Sequence, residues 1–200
     1  MKTVRQTAAD RRSSLLQAAL DLFAEQGYAG TTTKAIAQRS GVTEAILFRH
    51  FHTKEELLRA VVEQFRPRPL FAPPPPSVHA LPVREALEAF VTRYLNAFWE
   101  NRVFMLMIFT TPKREQAEFE VIWAEFGKQA LYLYTMLQDR SDRNELKPEI
   151  PAPATEIIAA ATGGFLQRAL NDSPEDWNAY RDKFVGSLLQ ILFSGIEQTT

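Results

Sequence analysis

Residues 31–51, TTTKAIAQRSGVTEAILFRHF, constrain the fold more than any other stretch of this chain. Thr31 and Thr32 precede one short apolar-patterned run and Thr43 precedes the next, and threonine is a good N-cap because its hydroxyl accepts from an orphan backbone N–H. Only Gly41 and Val42 separate the two runs, so two short helices meet at a tight turn. Within the second, Leu47 and Phe51 lie one turn apart and share a face, whereas Glu44, Ala45, Arg49 and His50 fall toward other sides. One face is anchored and another is presented.

The flanking sequence supplies the anchor. Residues 11–26 place Leu15, Ala19, Leu22 and Phe23 on one helical face, and Gly27 stops that run as a C-cap glycine. After Phe51, Thr53 with Glu56 three residues on forms a capping-box pattern, and Leu57, Leu58, Val61, Val62 and Phe65 point inward from a longer fourth helix. A turn of three or four residues between two short helices is the helix-turn-helix layout, whose second helix lies in a DNA major groove. Charge agrees modestly: the chain carries −1 overall, but Lys and Arg outnumber Asp and Glu up to Arg66 and are outnumbered after it.

The stretch GYAGTTTKAIAQRSGVTEAILFRHFHTKEELL resembles the DNA-binding domain of the tetracycline-repressor (TetR) family. The match covers roughly residues 10 to 65 and rests on an ordered combination: Phe23, Gly27, Thr32 and Thr33, Ile36 and Ala37, Gly41 and Val42, Leu47, His50-Phe51 and Lys54. Ile36, Ala37, Val42, Leu47 and Phe51 are the apolar positions expected to hold the two short helices. Thr33 and Thr43, at helix starts, suit phosphate oxygens, and Lys54 offers a point charge to another phosphate. Lys34, Glu44, Ala45, Ile46 and Arg49 correspond to the family's base-contacting positions: Arg or Lys suits guanine, Glu accepts from cytosine N4, and Ala or Ile touches a thymine methyl. Phe48 stands where the family commonly has Tyr, so a hydroxyl–phosphate bond is expected to be missing, at roughly 1 kcal/mol. His50 is counted with the DNA-contacting set; its alternative is a capping or packing imidazole.

Residues 66–82, RPRPLFAPPPPSVHALP, are expected not to continue a helix, because prolines remove donors and clash with the preceding turn. Pro73 to Pro76 favour a short polyproline segment acting as a stiff connector. The expected organisation is therefore a helix-turn-helix domain over 1–52, a connecting helix over 53–66, a Pro-rich connector over 67–82, and a ligand-binding and dimerisation domain over 83–200. The fold class is all-α. Residues 83–111 read as one helix broken at Pro112, and no strand pattern competes.

Aromatic and Met residues concentrate in the C-terminal part. Their helical spacing is how helices pack, but large flexible groups also line adaptable pockets. The resemblance implies a cavity for a small apolar or aromatic effector, lined by Phe90, Tyr94, Phe98, Trp99, Phe104, Met107, Trp123, Phe126 and Phe165. The last two helices carry more apolar surface than one buried face needs. Small residues Ala160 and Gly164 with Phe184, Leu188, Leu189, Leu192 and Ile196 are the expected interface of a homodimer, the family's general state. Two-fold symmetry then sets the reading helices roughly 34 to 36 Å apart on an operator.

Other functions fit less well. The chain has no Cys, which suits a reducing cytoplasm and excludes thiolate metal sites and disulfides. Its three His lack ligand spacing, so neither a metal nor a cofactor is expected. No apolar run reaches membrane-spanning length. An enzyme would need a reacting constellation, and no HExxH, phosphate-binding Gly loop or Ser–His–acid context occurs. A helical protein-interaction module gives no reason for caps, basic residues and helix-turn-helix spacing to coincide.

Overall fold

The computed structural model describes residues 7–66, 72, 74–111, 119–169 and 171–194; Pro73, Pro112 and Ile196 lie outside them. The described residues form helices α1 (Ala8–Gly30), α2 (Thr33–Arg39), α3 (Glu44–His50), α4 (Lys54–Phe65), α5 (Ser77–Ala80), α6 (Val83–Glu100), α7 (Arg102–Thr110), α8 (Glu120–Asp142), α9 (Pro151–Ala169) and α10 (Pro174–Ser194), with no strand among them. The chain divides into two compact units. Met1–Arg66 with Val103–Ile122 form the first, and Pro67–Arg102 with Trp123–Thr200 the second.

In the first unit α1 begins at a capping box: Thr7 Oγ1 accepts from Asp10 N–H, while Asp10 accepts from Thr7 N–H. Leu15, Leu16, Ala19, Leu22 and Phe23 are buried along it. The run breaks at Gly27, whose φ of 73° is open to glycine without strain, and one further turn reaches Gly30. The Thr31 hydroxyl, expected as a cap, instead sits between the Leu22 and Gly27 carbonyls at 3.0 and 2.8 Å. Thr32 alone caps α2, accepting from Ala35 N–H.

The turn into α3 follows from Gly41. Its φ is 73°, its N–H donates to Gln38 C=O, and Val42 N–H donates to Ala37 C=O. This pair of bonds is a Schellman motif, which satisfies the last carbonyls of α2 while reversing the chain. Thr43 makes no side-chain cap bond, contrary to the expectation for it. Thr53 caps α4, but Glu56 reaches back to His52 N–H, one residue earlier than a capping box requires. Ile36, Leu47, Phe51, Leu57 and Val61 are fully or almost fully buried.

In the second unit the proline-rich stretch contains a helical turn, α5, and Pro76 has α-region angles rather than the expected polyproline ones. The guanidinium of Arg140 fixes this turn, donating to the His79 and Leu81 carbonyls at 2.6 and 2.8 Å and pairing with Glu145 at 2.7 Å. The expected single helix over 83–111 is interrupted at Asn101, whose side-chain amide donates to Ala97 C=O at 2.7 Å and ends α6. Helices α6 and α10 lie antiparallel: Arg84 covers Phe193, Arg181 bonds Asn96, and Trp99 stacks on Trp177. Phe165 on α9 meets Trp177, Tyr180 and Phe184 edge-on.

Candidate nucleic-acid interface

Helix α3 is held from beneath and open above. Leu47 is fully buried and Phe51, just past its end, is 1% exposed; the Arg12 guanidinium covers the Phe51 ring at 5.2 Å. Thr43, Ala45, Phe48 and Arg49 are exposed, as is Lys34 on α2. Phe48 has 42% of its surface in solvent. Glu44, Ile46 and His50 are half-buried. The His50 ring lies 6.3 Å from that of Phe51. Neither Lys34 nor Arg49 has an ion pair among the described residues, so both charges are available on that face. Arg39, by contrast, forks onto Glu25 through two bonds of 3.1 and 3.0 Å, which holds the Glu25 carboxyl below its ordinary range.

Two predicted phosphate contacts are engaged inside the protein. The Thr33 hydroxyl donates to Glu44 Oε1 at 2.5 Å, linking the first residues of α2 and α3. The Lys54 ammonium donates to the Tyr28 carbonyl and lies 4.1 Å from the Tyr28 ring centroid, and the Tyr28 hydroxyl donates to Glu55 at 3.1 Å. Hydrogen bonds from the Glu55 backbone N–H, the Tyr28 hydroxyl and Thr53 hold the Glu55 carboxyl below its usual range. Sequence reasoning missed Tyr28 and Glu55; the one signal was an aromatic directly after the helix-breaking Gly27.

The match to the family described as "Bacterial regulatory proteins, tetR family" spans residues 15–61, from the core of α1 through the open face of α3 to most of α4. Over those residues, about a quarter of its length, the chain is similar to the TetR family. The HTH-type transcriptional repressor Rv3405c of Mycobacterium tuberculosis is 51% identical over 51 residues, which are 26% of this chain and 27% of that relative, so the likeness spans only about a quarter of it. The HTH-type transcriptional regulator UidR of Escherichia coli is 24% identical over 169 residues, covering 83% of this chain and 85% of UidR. Among solved structures, the TetR family transcriptional regulator PfmR of Thermus thermophilus superposes with a TM-score of 0.66 at 21% identity, covering 94% of this chain and 97% of PfmR. All three are named regulators rather than enzymes. The all-α TetR architecture, an N-terminal helix-turn-helix followed by a helical domain, is therefore the fold of this chain.

The residues expected to line an effector cavity are drawn from both units. Phe104 and Met107 are buried in the first unit; Phe90, Tyr94, Phe98, Trp99, Trp123, Phe126 and Phe165 belong to the second. Phe90 stacks on Tyr132 and Tyr94, Trp99 on Trp177, and Trp123 lies 5.8 Å from Phe126. Phe90, Phe98 and Phe165 are almost wholly buried. An open groove of about 760 Å³ instead runs along α6, lined by Glu85, Glu88, Ala89, Thr92, Arg93, Asn96, Ala97 and Glu100, with none of the expected aromatic set. Of the expected dimer residues, Leu188, Leu189 and Leu192 are buried within the single chain and Phe184 is half-buried. The side chains of Ala160 and Gly164 lie outside the described residues. Among the described residues, Ile191, at 68% exposure, and Ile157, at 42%, are the large apolar residues that α10 and α9 leave open.

Proposed function

We propose that this chain regulates transcription in the cytoplasm, binding a palindromic DNA operator as a homodimer and acting as a repressor that a small apolar effector releases. The single observation behind the DNA-binding reading is the α3 face, where Ala45, Phe48 and Arg49 stand exposed beside Lys34 while Leu47 and Phe51 anchor the helix. Arg49 and Lys34 offer donors to guanine, and Ala45, Ile46 and Phe48 offer apolar contact to thymine methyls. Thr43 and His50 flank that face toward the backbone. A second copy, apposed through the surfaces around Ile157 and Ile191, presents a second α3 roughly 34 to 36 Å away.

Repression takes its support from the name of the Mycobacterium tuberculosis relative, and effector control from the family resemblance together with the aromatic second unit. An effector acts by favouring the conformation whose two α3 helices are wrongly spaced, and a coupling of roughly 1–3 kcal/mol weakens the operator complex about 5- to 150-fold. Selection from a random duplex pool tests the core of the reading. Enrichment of a two-fold-symmetric site is the expected result; a pool that stays random after repeated rounds refutes DNA regulation.

A further inference from the structure

Glu44 is placed by sequence among the base-reading positions, yet its carboxylate already has a partner. Thr33 Oγ1 donates to Glu44 Oε1 at 2.5 Å, across eleven residues and the α2–α3 turn. Both side chains are half-buried, unlike the exposed Ala45, Phe48 and Arg49 that follow. The bond joins the first residue of each short helix, at the end of α3 where Thr43 provides no side-chain cap. A hydroxyl has one proton, so Thr33 cannot donate to Glu44 and to a phosphate together. A hydroxyl bond to a carboxylate belongs to the stronger class of hydrogen bond, which a competing phosphate must displace.

We infer, resting on the DNA-binding reading above, that Glu44 is a positioning residue: through Thr33 it sets the rotation of α3 against α2, and so the aim of Ala45, Phe48 and Arg49, and it reads no base. The two roles make opposite predictions for Glu44→Gln. A glutamine keeps an acceptor oxygen for Thr33, so a positioning role survives. A glutamine that touched bases would pair with adenine, whereas a glutamate accepts from cytosine, so a reading role changes the preferred base.

The test is selection of bound sequences from a random duplex pool by the full chain, the Glu44→Gln, Glu44→Ala and Thr33→Val variants, and the Thr33→Val/Glu44→Ala double variant. Affinities for the selected site and for unrelated DNA are measured alongside, with thermal melts of each protein. Glu44→Gln is expected to select the wild-type motif. Glu44→Ala and Thr33→Val each weaken the selected site by about 5- to 10-fold, as loss of one hydrogen bond predicts, and the double variant weakens it no further. Preferences at all positions flatten together, because the aim of the whole helix loosens. A shift of one base pair from cytosine toward adenine in Glu44→Gln, or additive losses in the double variant, overturns the inference and leaves the DNA-binding reading intact. A wild-type chain that enriches no motif overturns that reading and this inference together. If Glu44→Ala fails to fold, the motif of Glu44→Gln and the melt and motif of Thr33→Val still decide.

Discussion

Replacing Lys54 with alanine separates two roles that the sequence assigns to one side chain. As the opening residue of α4, Lys54 looks like a phosphate contact, but its ammonium bonds the Tyr28 carbonyl and covers the Tyr28 ring at 4.1 Å. A half-buried cation over a tyrosine ring contributes about 1 kcal/mol. A charged donor on a carbonyl adds about 1.5 kcal/mol net. Removing a positive charge from the first turn of α4 returns about 0.5 kcal/mol, since that end of a helix repels cations. The net loss is about 2 kcal/mol, enough to lower the melting point of a unit this small by about 10 °C. The assay pairs thermal unfolding with DNA affinity measured over a range of salt. With Lys54 kept on Tyr28, the variant melts early and the slope of log affinity against log salt hardly moves. A variant that melts like wild type while that slope falls by about 0.9 has lost a phosphate contact instead, and refutes the tie between α4 and the end of α1.

Arg49→Ala is expected to cost roughly 1–3 kcal/mol at particular base pairs with the fold intact; an unchanged selection profile removes Arg49 from the reading set. Gly41→Ala meets no atom within 4 Å, so its cost is the positive φ alone, about 1–2 kcal/mol in denaturant unfolding. Ile191→Lys is expected to yield a folded monomer in sedimentation, because Ile191 is exposed in the single chain, whereas Leu188→Lys buries an unpaired charge and unfolds it. Because its folded pKa is lowered, Glu55 contributes stability that is present above its unfolded pKa and is lost as pH falls through the folded one. Glu55→Gln should therefore blunt that part of an acid unfolding titration.

The first unit was legible because its signals are local. Thr32, Thr53 and Gly41 each dictate a bond within four or five residues of themselves, so the starts of α2 and α4 and the turn into α3 follow from short words of sequence. What those words do not carry is competition between distant groups. Thr33 meets Glu44 across eleven residues, and Lys54 meets Tyr28 across twenty-six. Both were assigned to DNA because their positions match a binding pattern, and position alone does not reveal that a hydroxyl or an ammonium is already engaged. The break at Asn101 escaped notice for a related reason: the apolar period continues across it, and the interruption comes from a side chain bonding its own helix.

The second unit was harder to read for a different physical cause. Periodicity reports that a helix has an apolar face; it does not report what that face meets. Trp99, Phe165 and Leu188 all fit a cavity wall, a dimer seam or a core equally well by spacing. The antiparallel pairing of α6 with α10 decides for two of them, putting Trp99 against Trp177 and burying Leu188, while α9 brings Phe165 against Trp177. An apolar effector entering among these rings must therefore displace ring contacts worth about 0.5–1.5 kcal/mol each before it gains its own. Entry there disturbs the α6–α10 seam itself, whereas the open groove along α6, rimmed by Glu85, Glu88 and Glu100, favours polar or cationic guests. Of the two places, only the aromatic one joins apolar binding to the packing of the unit's long helices, which is what an effector needs in order to be felt beyond its own site.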